Sequence, residues 1–248
     1  MRNPEHHRRA AIAVGYRTLG PGILLILALL AFGVIGPSLG AHAAAKNPAV
    51  QEGVSAFNAG AFEIALQKLG PLAKAGNPEA AYWMGRMYED GLGVKKDVDK
   101  AIEYYTTSAD KGWQNAKLRL GEIYFHGTEV LQNFAKAHKW LERAAFDGIP
   151  LAQRDLGTLY ANGWGTQKDP VWAYVWYEFA ARQGDYEAQK KRDSLLRTMT
   201  DNQVTEGQKL TQKIAPEVFG LVKGKPAKTP NHAGKTESAP SKSKPHTS

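Results

Sequence analysis

Three groups of residues in this 248-residue chain have the types and spacing for chemistry. Glu89-Asp90 and the Asp97/Asp99 pair are neighbouring carboxylates, the groups that general acid–base catalysis uses when they face each other across a cleft with separated pKa values. Gly91-x-Gly93, followed by Lys95-Lys96, sets backbone N–H groups beside ammonium groups, the elements of a phosphate cradle. His126 and His138 are imidazoles of the kind that serve as bases or metal ligands. Each reading fails on pattern. Adjacent carboxylates at a turn are solvated or cap a helix. The glycine loop lacks a preceding strand and the Gly-x-x-x-x-Gly-Lys-Ser/Thr spacing. Neither histidine has a His-x-x-x-His or Glu partner at ligand spacing. The absence of Cys removes thiol catalysis, zinc–thiolate sites and disulfides. The sequence thus implies no catalytic group, no metal and no cofactor.

The glycine loop has another origin, which is copying. GRMYEDGLGV from Gly85 returns as GEIYFHGTEV from Gly121 and as GTLYANGWGT from Gly157, a period of 36 residues. The glycines and the tyrosine persist while Glu89-Asp90 become Phe125-His126 and then Ala161-Asn162. A catalytic loop would not be copied with its acids replaced. A fixed period of this length decides the architecture. With blocks 77–112, 113–148 and 149–184 stacked, seven columns are identical: Ala80/Ala116/Ala152, Gly85/Gly121/Gly157, Tyr88/Tyr124/Tyr160, Gly91/Gly127/Gly163, Ala101/Ala137/Ala173, Ala109/Ala145/Ala181 and Gly112/Gly148/Gly184.

Within a block the small and apolar residues follow a helical spacing, 80, 84, 87 and 88 on one stripe and 101, 104, 105, 108 and 109 on another. This predicts two helices per block, from about 78 to 90 and from about 97 to 111, with Gly91–Lys96 as the turn and Gly112 as the stop. A helix pair of this size cannot bury its apolar face alone, so it must stack on the next. The pattern A-x-x-x-[ML]-G-x-x-Y-x-x-G-x-G, followed by D-x-x-K-A-x-x-[YW]-[YL]-x-x-[SA]-A-x-x-G, resembles the Sel-one-like repeat, a 36-residue relative of the tetratricopeptide repeat. The second block departs from it, with Glu129 in place of the second loop glycine and Asn133 in place of the Asp. The resemblance implies an all-α protein, a right-handed α-solenoid of helix–turn–helix repeats.

Weaker copies flank the three blocks. Residues 48–76 read as an N-terminal tetratricopeptide-like cap, because AFEIALQKLGPLAKAG (Ala61–Gly76) aligns with Asp97–Gly112. Residues 185–217 read as capping helices: DYEAQKKRDSLLRTM begins a fourth first helix, and Thr200-Asp-Asn-Gln203 is a capping box opening a last helix to about Ile214. The N-terminus is of another kind. Four arginines precede the apolar run Ile23–Ile35, and Gly36-Pro37-Ser38 then leads to Ala41-His42-Ala43. That order is an export signal with cleavage after Ala43, giving a secreted or periplasmic protein; the alternative is an uncleaved anchor at 23–35. Residues 223–248, KGKPAKTPNHAGKTESAPSKSKPHTS, contain no large apolar side chain and are expected to be a disordered tail.

The formal charge of +8 resides in these two ends, since what remains between them holds 22 basic and 22 acidic residues. A nucleic-acid binder carries its basic charge on the folded face that meets phosphate, so nucleic acid is excluded as a partner. The lysine tail implies weak contact with an anionic membrane or wall polymers.

Function is expected where the blocks differ. By likeness to tetratricopeptide folds, the first helices line a concave groove with Tyr82, Arg86 and Glu89, then Leu118, Glu122 and Phe125, then Arg154, Thr158 and Ala161. A mixed aromatic and charged groove suits a peptide or a helix. Trp164, between two turn glycines, is either an interaction anchor or a side chain folded back on the neighbouring repeat. The expected function is a non-catalytic, monomeric scaffold for a protein partner. The alternative is a hydrolase acting on wall fragments or lactams, an activity linked with cysteine-rich relatives of this repeat, and the lack of Cys argues against it.

Overall fold

The computed structural model describes residues 47–220, so the signal and tail readings lie outside the described residues. Ten α-helices follow one another, and among the described residues there is no strand. They are α1 (Pro48–Asn58), α2 (Phe62–Lys74), α3 (Pro78–Asp90), α4 (Val98–Asp110), α5 (Gln114–His126), α6 (Phe134–Phe146), α7 (Pro150–Asn162), α8 (Pro170–Arg182), α9 (Tyr186–Leu196) and α10 (Asp201–Val218). Helices α1 to α9 pack as consecutive neighbours, the arrangement of an α-solenoid.

The caps set these boundaries. Asn77, Asp97, Asn133, Asp185 and Thr200 each accept a backbone N–H three residues on, and Pro at the first position of α3, α7 and α8 loses only an N–H that is unpaired there anyway. Each repeat turn closes with the same bond, from the N–H of Asp97, Asn133 or Asp169 to the carbonyl of Tyr88, Tyr124 or Tyr160, 2.9 Å in all three. The irregular second turn therefore keeps the common frame. Asn133 caps α6 as Asp would, and Glu129 turns outward to pair with Lys96 of the first turn at 2.9 Å.

The Gly85/Gly121/Gly157 column sits where the two helices of a repeat cross. A Cβ would lie 2.6 Å from the Tyr105 ring at Gly85, 2.6 Å from Leu141 Cδ2 at Gly121 and 2.7 Å from the Tyr177 ring at Gly157. No real Cβ fits such a gap without displacing its neighbour.

Helix α10 does not pair with α9 as a second helix would. It folds back across α8 and reaches α6. The cause lies in α8, where Val171, Trp172, Ala173, Tyr174, Val175, Trp176, Tyr177, Phe179 and Ala180 are all buried. A helix apolar all round needs cover on every side. Gly207 lets α10 approach the Tyr174 ring, and Phe219 meets Phe179 edge to face at 5.5 Å. The last helix consequently runs through Pro216 to Val218, four residues beyond the expected Ile214.

Candidate binding face

The first helices α3, α5 and α7 carry the residues expected to line the groove, and the structure gives each a definite partner. Tyr82 is half-buried, its ring 5.4 Å from Trp83, 5.7 Å from Tyr105 and 6.4 Å from Trp113. Arg86 donates to Asp90 at 3.3 Å, one helical turn on. Glu89 is only 6% exposed. It accepts the Tyr105 hydroxyl at 2.6 Å and both Nε and Nη2 of Arg119 from the next repeat, with Nε 2.9 Å from Oε1. Burial, and then the bond to Glu89, push the Tyr105 phenol well above its usual range and keep it a donor.

Glu122 accepts Arg119 Nη1 at 3.0 Å, so a Glu89–Arg119–Glu122 chain stitches α3 to α5. The turn-to-turn pair Lys96–Glu129 and this chain border a polar cleft of about 170 Å³. On α7, Arg154 donates to Asp185 at 2.9 Å and lies 3.4 Å from Asp155. Thr158 donates to the Arg154 carbonyl at 3.0 Å and accepts the Tyr177 hydroxyl at 3.1 Å. Leu118 is half-buried against the core beneath the third repeat. The groove charges are thus largely neutralised by one another.

Trp164 folds back on the neighbouring repeat. Its ring stacks on Phe134 at 4.9 Å and approaches Phe125 at 6.4 Å, yet the residue stays 40% exposed. Phe125 is the hub of this group, 5.9 Å from Phe134.

The sequence reading missed Arg119 and Asp155, which share a column with Trp83. That column was visible as variable. Its side chains point across the repeat boundary, which no periodicity reports. Asp155 is 8% exposed, and burial holds its carboxyl above the usual range against the pull of Arg154. The opening motifs are structural: Gly91 ends α3 in the left-handed region at φ 72°, Asp97 caps α4, and His138 packs edge to face on Tyr160 at 5.1 Å. Among the described residues no three His, Asp or Glu side chains gather where a metal could be held, and no helix is long and apolar enough to cross a membrane.

The Sel1 repeat family matches residues 78–113, 114–145 and 150–185. Among solved structures the chain is similar to a Sel1 repeat protein from Oxalobacter formigenes, at 33% identity over 58% of this chain and 59% of that one, with a TM-score of 0.54. It is also similar to a protective antigen of uropathogenic Escherichia coli strains displaying an SLR fold, at 24% identity over 73% of this chain and 51% of that one, with a TM-score of 0.41. The chain spans little more than half the length of either. No curated protein matches it. Sel1 repeats typically mediate contacts between proteins. Residues 78–113, 114–145 and 150–185 thus carry three Sel1 repeats, and the helices they form stack as an α-solenoid.

Proposed function

We propose that the chain is a non-catalytic scaffold that holds another protein or peptide against the face formed by α3, α5 and α7. The observation that supports this reading is the set Tyr82, Arg86, Phe125 and Arg154, half-buried on three consecutive first helices, with their geometry held by neighbours before any partner arrives. Aromatic and Arg side chains fixed in advance lose little freedom on binding and supply most of the energy of an interface. The cleft on this face, about 170 Å³, is smaller than the pockets that enclose small substrates. Arg119, anchored by Glu89, joins the candidate contact residues, while buried Glu89 acts by orienting it.

Export is part of the proposal, with cleavage after Ala43 and action as a monomer in the periplasm or outside the cell. The test uses the full chain as bait in the exported fraction, followed by binding measurements with the recovered partner. Arg86→Ala combined with Phe125→Leu removes a guanidinium and a ring while keeping an apolar group under Trp164. Capture should be lost while helical circular dichroism and melting midpoint stay near wild type. Normal capture by this variant would show that the partner reads another surface. Hydrolysis of a wall fragment or a lactam by the purified protein would replace the scaffold with an enzyme.

A further inference from the structure

The turn before α2 and the three repeat turns, 91–97, 127–133 and 163–169, all join the end of a first helix to the start of a second, so they share one edge of the solenoid. Three of the most exposed large hydrophobic residues lie on this edge: Leu131 at 93%, Ile64 at 51% and Trp164 at 40%. Leu131 stands at the middle of its turn. Trp164 is braced from behind by Phe134, so its outer face is presented in a fixed direction.

Between Ile64 and Leu131, in the first repeat turn, lies an open hollow of about 430 Å³ lined by Tyr88, Val94, Lys95, Lys96, Asp97 and Lys100. Of its three lysines, Lys96 pairs with Glu129 at 2.9 Å and Lys100 Nζ lies 3.5 Å from Asp97, which also accepts the Lys100 backbone N–H at 3.0 Å as a helix cap. With Glu129 counted against its three lysines and Asp97, the hollow keeps a net charge of +1.

We propose that this turn edge docks on an anionic lipid bilayer, the lysine hollow receiving headgroup phosphates while Ile64, Leu131 and Trp164 enter the boundary of the acyl chains. Protein partners are gripped through pockets that bury anchor residues. This edge has the opposite shape, with separate apolar tips in the first turn of α2 and in the turns 127–133 and 163–169. A soft surface accommodates such tips, tryptophan favours the membrane interface, and basic side chains are drawn to anionic headgroups. This surface adjoins the first-helix face at Trp164, whose ring approaches Phe125 at 6.4 Å.

The chain contains no Cys, so Leu131→Cys in the full-length protein can be labelled at one site with an environment-sensitive fluorophore. Asn115→Cys, exposed at the start of α5 on the opposite edge, is the control. Both labelled chains retain residues 23–35 and the tail, so any attachment through those segments is common to both. Vesicles of phosphatidylglycerol and phosphatidylethanolamine should raise the emission of the 131 probe several-fold and shift it to the blue, with little change at 115. Lys95→Glu with Lys100→Glu, or 0.5 M salt, should remove most of that response. Without any label, brominated lipid should quench wild-type tryptophan emission more than that of Trp164→Phe. Equal responses at 131 and 115, or a response unaffected by charge reversal, would overturn the proposal. So would a 131 probe that responds to a soluble protein and not to vesicles.

Discussion

Gly121→Val tests the packing of the solenoid at its centre. The first added carbon would lie 2.6 Å from Leu141 Cδ2, 2.7 Å from Cγ and 3.3 Å from the Leu141 backbone N. Both residues are fully or nearly fully buried in the crossing of α5 and α6, so neither helix can move without opening its contact with the adjoining repeat. Overpacking of this kind costs about 1–3 kcal/mol. Replacing Gly by a helix-compatible residue returns a few tenths of a kcal/mol for Val and about 1 kcal/mol for Ala. The expected net loss is about 2 kcal/mol for Gly121→Val and about 1 kcal/mol for Gly121→Ala. For a body of this size 2 kcal/mol corresponds to a fall in melting midpoint of about 4–8 °C. Urea titration followed by circular dichroism gives midpoint and slope together, which matters because stacked repeats need not unfold in one step. Leu141→Ala supplies the check on mechanism. Alone it leaves a cavity and destabilises, but combined with Gly121→Val it provides the missing space, so the double variant should be more stable than the two losses added together. A Gly121→Ala protein that gains stability, or losses that simply add, would refute close helix contact as the reason for the glycine column.

Three further outcomes are expected. Asp155 is held above its ordinary value of 3.8, so the folded state binds its proton more readily than the unfolded chain. Its contribution to stability therefore falls as pH rises from that value through the folded one and stays lost at neutrality. Asp155→Asn should accordingly raise the urea midpoint at pH 7 and leave it unchanged at pH 3, whereas a drop at pH 7 would mean that the Arg154 contact outweighs desolvation. Ending the chain after Met199 removes α10 and uncovers Tyr174 and Phe179, so dye binding to exposed apolar surface should rise and the melting midpoint should fall; no change in either would show that the fold-back contributes nothing. N-terminal sequencing of the exported protein should read Ala44-Ala45-Lys46, and a full-length, membrane-extracted product would identify residues 23–35 as an anchor.

What the chain disclosed on reading depends on the range of the interaction. Helix ends were legible because caps are local: Pro78, Asp97 and Gly91 each act within four residues of themselves, and α3 and α4 begin and end within about a residue of expectation. The Gly121 column was legible because a helix crossing must recur in every copy. The Glu89–Arg119 bond was not, because it joins residues 30 apart in different repeats and depends on how far one helix pair rotates relative to the next. Nor was the path of α10. Its capping box announces a start, and only the uncovered side of α8 says where the helix must then lie.

The Glu89–Arg119 contact also makes the order of the blocks part of the chemistry. In the third block the position of Arg119 is held by Asp155, and in the second the position of Glu89 is held by Phe125. Joining the first block directly to the third would keep the 36-residue frame and every glycine and alanine column, yet it would set the buried carboxylate of Glu89 against another carboxylate. Like charges in such a place cannot both remain ionised. The repeats share a backbone and are not interchangeable parts, so loss of the middle block by unequal recombination would leave a chain of correct periodicity with a mismatched joint. Duplication of the last block would meet no such conflict at Glu89, because Ala161 occupies its place there. A solenoid built in this way can lengthen at its C-terminal side far more readily than it can be shortened from within.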